Sequence, residues 1–291
     1  MDQENNIFCS TLVDRIVTGF PKTGPEKEWE ALGYKDELLD IAEPFGLWVI
    51  QSQTDISQKF PLPDAGLPVV FTQDLRPYRE RKVRILNGAH TSTVLLGWLC
   101  GLSIVRDCMH DPIVSAFMKK AVLEELAPEV SLPEKEVSAF ARAVFQRFDN
   151  PFIDHQVLDI SLNSISKWKS RILPSFRDHY RRTGQIPPAL AFSFAGLLAF
   201  YTVSSFDGAV FTAVREDGTA YAVRDDLPVL EFFAEHSREP IPAYVTSVIS
   251  NPSLWGEDLS LYPGFYDAVL FDLTQIRALG AREALTRFLR G

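Results

Sequence analysis

Apolar side chains at Val137, Phe140, Ala141, Val144, Phe145 and Phe148 follow the i, i+3, i+4, i+7 spacing of a helix that buries one face. Ser131-Leu132-Pro133-Glu134, just ahead of them, reads as a capping box that starts this helix. The same period suggests helices over residues 27–43, 84–102, 112–126, 155–173 and 227–236, and from 240 to the C-terminus with breaks at Pro252, Pro263 and Gly280. Residues 186–203 are apolar on nearly every side. That run opens on Pro187-Pro188 and falls short of the roughly 20 unbroken apolar residues of a membrane span, so it predicts a core helix starting near the prolines.

Strand patterns are few. Residues 45–52 and 67–73 are short apolar runs bounded by Gly, Pro and polar residues, and Asp217-Gly218 between 210–214 and 219–223 predicts a hairpin. Residues 54–66, with Pro61 and Pro63, predict a surface loop. The pattern predicts a mainly α, multi-helical chain with a few short strands, and no internal repeat. No β-α alternation announces a parallel sheet.

Composition narrows the function. At 291 residues, 46% of them hydrophobic, the chain can bury a sizeable core. Its net charge of −9, from 29 Lys and Arg against 38 Asp and Glu, argues against a nucleic-acid partner. Three cysteines, Cys9, Cys100 and Cys108, make no disulfide framework and suit a reducing cytoplasm. Cys100, Cys108 and His110 match no zinc spacing, so they read as core thiols and no metal is expected. The start, Met1-Asp2-Gln3-Glu4-Asn5-Asn6, is acidic and polar where a signal peptide is basic and then apolar, and no membrane partner is expected.

Lys82, Asn87 and His90, spaced K-x4-N-x2-H, open an apolar helix pattern. In a helix Asn87 and His90 share a face, and the long stem of Lys82 reaches the same volume. A lysine serves as a general base once burial or cationic neighbours lower its pKa, an amide donates to a developing alkoxide, and a histidine orients a hydroxyl. Solvated or capping roles also fit these three residues. Two basic clusters stand out, Arg76 to Arg84 and the set Lys167, Lys169, Arg171, Arg177, Arg181 and Arg182. They suit an anionic ligand such as a carboxylate or phosphate, or equally a set of solvated helix faces paired with nearby acids. No G-x-G-x-x-G, P-loop, G-x-S-x-G or H-E-x-x-H occurs.

Lys82, Asn87 and His90 resemble the catalytic signature of the mannitol dehydrogenase family, polyol-specific long-chain dehydrogenases that move hydride between NAD(P) and sugar alcohols or sugar acids without a metal. The segment from Phe8 to Pro21 around Val13-Asp14-Arg15-Ile16 is similar to the family's passage from cofactor domain to helical substrate domain. Arg147-Phe148-Asp149-Asn150-Pro151 resembles its R-F-x-N-P motif, and Ser166-Lys167 falls where another substrate lysine stands. The wording around Asp14 and from Leu86 to Thr91 is closest to the branch acting on sugar acids of hexuronate breakdown. Asp159 stands where the mannitol enzymes have an arginine, which disfavours mannitol itself.

The resemblance implies that residues 1–291 are the C-terminal helical substrate domain, similar to that of 6-phosphogluconate dehydrogenase, without the N-terminal Rossmann domain. NAD would be held mainly by that domain, in cis or in trans. Lys82 is then the general base, Asn87 the donor to the reacting oxygen and His90 a positioning group. Asp14, Arg15, Lys167 and Arg171 bind the small-molecule substrate, and Val13 and Asp14 meet the cofactor. The other reading is a non-catalytic helical module that binds a sugar acid or a partner protein.

Overall fold

The computed structural model describes residues 6–21 and 24–291. The chain divides into two compact units, Met1–Lys82 with Asn150–His155, and Val83–Asp149 with Gln156–Gly291.

The first unit carries strands β1 (Ser10–Asp14) and β2 (Val17–Gly19), helix α1 (Glu26–Leu32), strands β3 (Ile41–Ala42), β4 (Leu47–Gln51) and β5 (Val69–Thr72), and helix α2 (Arg76–Arg81). Its sheet has the order β1-β4-β5. β4 is the apolar run expected at 45–52, and burying Val49 and Ile50 fixes it at the centre. β1 lies antiparallel to it, with Asp14 opposite Leu47, whereas β5 lies parallel, with Trp48 opposite Val69. A parallel neighbour needs a crossover, and here residues 52–68 supply it as irregular chain with one short turn, Pro63–Ala65, in place of a helix. The pairing therefore left no β-α pattern in the sequence. β2 and β3 form a separate antiparallel ribbon.

The helix expected over 27–43 stops at Leu32. Gly33 adopts φ 77°, a left-handed C-cap whose N–H bonds back to the Trp29 carbonyl at 2.9 Å, and the chain leaves the helix there to form β3.

The second unit is helical: α3 (Gly88–Leu99), α4 (Val105–His110), α5 (Pro112–Lys120), α6 (Glu134–Phe148), α7 (Val157–Ile160), α8 (Ser164–Arg171), α9 (Leu173–Thr183) and α10 (Pro188–Phe200). Strands β6 (Val203–Phe206), β7 (Phe211–Val214) and β8 (Ala220–Val223) follow, then α11 (Leu227–His236), α12 (Ile241–Ile249), α13 (Pro252–Trp255), α14 (Phe265–Leu279) and α15 (Ala281–Arg290). The chain is thus mainly α, and no helix among the described residues is long and apolar enough to cross a membrane.

α10 is the apolar run 186–203, and it is the axis of the core. It packs on α3 and α14, closely enough that a Cβ at Gly196 would stand 2.5 Å from Leu96 Cδ2. Buried Glu125 accepts the N–H groups of Ala189 and Leu190, both at 2.8 Å, satisfying two donors at the opening of α10. Burial pushes its carboxyl up to about 7, against those two bonds.

Several sequence expectations need correction. α6 starts at Glu134 with Pro133 at its cap, two residues later than a cap at Ser131 would place it. The stretch 155–173 is two helices, because Asn163 turns left-handed at φ 54° between α7 and α8. α9 lay in no expected helix. The hairpin forms around Gly218 at φ 84°, with β6 as an unexpected third strand beside β7. The helix expected over 84–102 begins earlier, at Arg76, and passes through a π turn, Lys82–Asn87, into α3.

Candidate active site

In the first unit, Val13-Asp14-Arg15-Ile16 ends β1 and ties it to the segment that enters β4. The Ile16 N–H donates to Glu43 Oε1 at 2.6 Å, and Arg15 donates through Nε to the Phe45 carbonyl at 2.9 Å and through Nη2 to that of Pro44 at 3.2 Å. Arg15 thus spends two of its five guanidinium N–H donors on backbone carbonyls. Asp14 is 2% exposed, whereas the Val13 side chain is 57% exposed. Lys82, from the far end of the unit, donates through Nζ to the Val13 carbonyl at 2.7 Å. Three of the sequence-selected residues, Val13, Asp14 and Lys82, are therefore neighbours.

Lys82 and Asn87 are the two ends of the π turn. At about 100° per residue, positions five apart on an α-helix lie about 140° apart around the axis. A π turn closes i→i+5 and carries such positions nearly over one another. The turn thus corrects the reading of Lys82–His90 as plain α-helix while bringing lysine and asparagine toward one face. Within the second unit Arg84 anchors it, donating through Nη1 to the Glu129 carbonyl at 2.7 Å and pairing through Nη2 with Asp178 at 2.7 Å. Gly88 follows at once, with Leu126 of a second π turn, Ala121–Leu126, packed where its Cβ would be.

His90 is 5% exposed and stacks on Phe148, with ring centroids 4.1 Å apart and planes 14° apart. Two motifs far apart in sequence meet in that stack. Next to His90, Thr91 Oγ1 accepts from Arg171 Nη1 at 3.4 Å. Arg171 and Lys167 lie one turn apart on α8, and Lys167 Nζ donates to the Ile160 carbonyl at 2.8 Å. Burial, then repulsion from Arg171, pushes Lys167 down to about 8.

The basic clusters divide into two kinds of residue. Arg76 pairs with Asp74, Arg84 with Asp178, Arg177 with Glu257, Arg181 with Asp178 and Arg182 with Glu129. Lys167, Lys169 and Arg171, and Arg79 in the first cluster, form no ion pair among the described residues; of these Lys167 and Arg171 stand beside Thr91, next to His90, through the Arg171 bond to its hydroxyl. Sequence reasoning missed two neighbours. Arg224, at the end of β8, donates to the Leu158 carbonyl at 2.8 Å and pairs with Asp159 at 3.2 Å, so a guanidinium does stand beside Asp159, brought from another element. Asp225, largely buried, accepts from the Tyr201 hydroxyl and the Ile165 N–H. Neither sits in a motif. Only the cluster Arg224-Asp225-Asp226 after an apolar strand hinted at them. Among the described residues no group of three His, Cys, Asp or Glu side chains gathers to hold a metal ion.

The profile of the family described as mannitol dehydrogenase C-terminal domain matches residues 74–277. Altronate oxidoreductase of Yersinia enterocolitica is 40% identical over 291 residues, covering 98% of this chain and 58% of that protein. Altronate oxidoreductase of Halalkalibacterium halodurans is 38% identical over 293 residues, covering 99% and 57%. Among solved structures, Pseudomonas fluorescens mannitol 2-dehydrogenase in ternary complex with NAD and D-mannitol matches with a TM-score of 0.80 at 22% identity, over 97% of this chain and 54% of that one. D-sorbitol dehydrogenase in substrate-free form matches at 0.77 and 21% identity, over 97% and 55%. The chain spans little more than half the length of each of these relatives, and the two structures share its fold.

Proposed function

Because this chain belongs to the mannitol dehydrogenase C-terminal domain family, we propose that it is the substrate and catalytic part of an NAD-dependent oxidoreductase that interconverts altronate and tagaturonate, a sugar-acid alcohol and its keto form. The observation that carries the reading is the run Lys82, Asn87, His90 on one continuous helical path, with the π turn between the first two. The choice of substrate rests on the altronate oxidoreductases it resembles.

In the direction of oxidation Lys82 Nζ takes the alcohol proton, and it returns the proton on reduction. A neutral amine that gives one N–H to the Val13 carbonyl keeps its lone pair free to point elsewhere, so this bond orients the base. Asn87 donates to the reacting oxygen as negative charge develops there. His90, fixed in plane by Phe148, positions the substrate. Lys167 and Arg171 hold its carboxylate by charge-assisted hydrogen bonds.

NAD, when bound, supplies the hydride acceptor. The residues present do not fit its pyrophosphate: the sequence holds no G-x-G-x-x-G, and α2 opens after β5 through Gln73-Asp74-Leu75, a turn without glycine. We assign those contacts to an N-terminal Rossmann domain, in cis or in trans, and to Val13, Asp14 and Arg15 the end of the site nearest the nicotinamide. The helical unit is then the counterpart of the C-terminal domain of 6-phosphogluconate dehydrogenase.

The test is NADH production from altronate by the 291-residue chain, alone and with the N-terminal part of the Yersinia enterocolitica relative supplied in trans or fused. We expect turnover only with that part present, and faster turnover of altronate than of mannitol. Turnover by the chain alone, or a preference for mannitol, would overturn the reading.

A further inference from the structure

A cavity of about 650 Å³ lies among the ends of α5, α10, α14 and α15 and shares no residue with the candidate active site. That volume falls in the range of small-molecule sites. Its walls are apolar and aromatic, with Pro188, Phe192, Phe271 and Phe288 contributing; the Phe192 and Phe288 rings stand 4.7 Å apart and Phe271 is exposed. One side-chain carboxylate lines it. Asp272 is 8% exposed and, among the described residues, has no hydrogen-bond or ion-pair partner. Burial alone pushes its carboxyl up to about 7, with no neighbouring charge or bond contributing.

The two cations that line the cavity are already matched. Lys120 pairs with Glu124 at 2.8 Å and Arg287 with Glu283 at 2.8 Å, each one turn along its own helix. The positive opening of α10 is occupied as well, by Glu125. An unpaired acid buried at a site is costly, and a protein interior ordinarily gives such a group a partner. What this cavity lacks is therefore a donor, preferably a cation, carried on an apolar body that suits aromatic walls.

We propose that the cavity is a binding site for a small aryl- or alkyl-ammonium compound, its ammonium on Asp272 and its apolar body between Phe192, Phe271 and Phe288. Gln275, also on the wall, offers a second polar contact.

Isothermal titration of the full 291-residue chain with 2-phenylethylamine at pH 7.5 tests this, with 3-phenylpropionate as the isosteric anion and benzyl alcohol as a neutral probe. The amine should bind, the acid should not, and the alcohol should bind at least ten-fold more weakly than the amine. Asp272→Asn should weaken amine binding ten-fold or more while circular dichroism stays unchanged, and Asp272→Leu should abolish it. Equal binding of amine and acid, full affinity in the Asn variant, or no amine binding to the unsubstituted chain would each overturn the proposal.

Discussion

Lys82 Nζ and the Val13 carbonyl oxygen stand 2.7 Å apart, a hydrogen bond across 69 residues of chain. The contact holds the long lysine stem against the end of β1. If it oriented the lysine for structure alone, any donor of similar reach would serve. In the proposed enzyme, assembled by fusion with the N-terminal part of the Yersinia enterocolitica relative, Lys82→Ala should lower kcat for alcohol oxidation by roughly 10²–10⁴-fold and change KM much less. Lys82→Arg should be as inactive, because arginine can reach the carbonyl but cannot take a proton. Steady-state kinetics of the two variants separate a base from an anchor. Near-normal kcat with raised KM would make the lysine a binding cation and turn attention to His90.

Lys167 gives a pH dependence with a definite sign. Its folded pKa of about 8 lies below the ordinary 10.5, so the ammonium is present below about pH 8 and lost as pH rises through it. Affinity for altronate should fall between pH 7 and 9.5. Lys167→Met should bind more weakly at pH 7 and lose most of that slope, as titration calorimetry at several pH values will show.

Asp272 couples stability to pH in the opposite sense from a salt-bridged carboxylate. Its folded pKa is raised from 3.8 to about 7, so its contribution is fully present below about pH 4 and lost as pH rises toward 7. Glu125, raised to about 7, adds the same sign. Urea midpoints should therefore decline from pH 5 to pH 8, and Asp272→Asn should flatten the decline by a few kcal/mol at most. An equally steep decline in that variant would show that Asp272 ionises freely in the folded chain.

At Gly196 a Cβ would meet Leu96 Cδ2 at 2.5 Å and Cγ at 2.7 Å. Cγ is near the root of its side chain and cannot swing away as a terminal methyl can. Gly196→Ala should therefore lower stability by about 1–3 kcal/mol through overpacking, read as a lower urea midpoint. Gly218→Ala in the hairpin should cost stability for a different reason, its positive φ, with no atom within 4 Å of the new Cβ.

The helix-rich fold was legible where burial and period agree. α10, α11 and the breaks in the C-terminal helices lie close to where the apolar pattern put them. α9 hid because only Leu173, Ser175 and Phe176 are buried in a stretch otherwise full of charge. α1 ended early because a single glycine supplied a left-handed cap that periodicity cannot see. Of the candidate site, spacing picked out Lys82, Asn87 and His90, and basic clustering picked out Lys167 and Arg171. It did not separate those two from the arginines already paired with acids, because pairing partners such as Glu257 and Glu129 lie far off in sequence. Arg224 and Asp225 showed only as a charged cluster after an apolar strand, for the same reason.

A π turn holds one residue more than the α turn it replaces, so Lys82–Asn87 acts as a one-residue insertion kept in register by Arg84. Removing a single residue from it, Val83 for instance, should let the whole path from Arg76 to Leu99 close as uninterrupted α-helix. Such a helix would be better bonded than before. Lysine and asparagine would then stand four apart, about 40° from one another around the axis, and keep a common face. The π turn is thus a length of chain taken up in pitch rather than in phase: the helix reads on with one residue fewer, and Lys82 and Asn87 keep the same side.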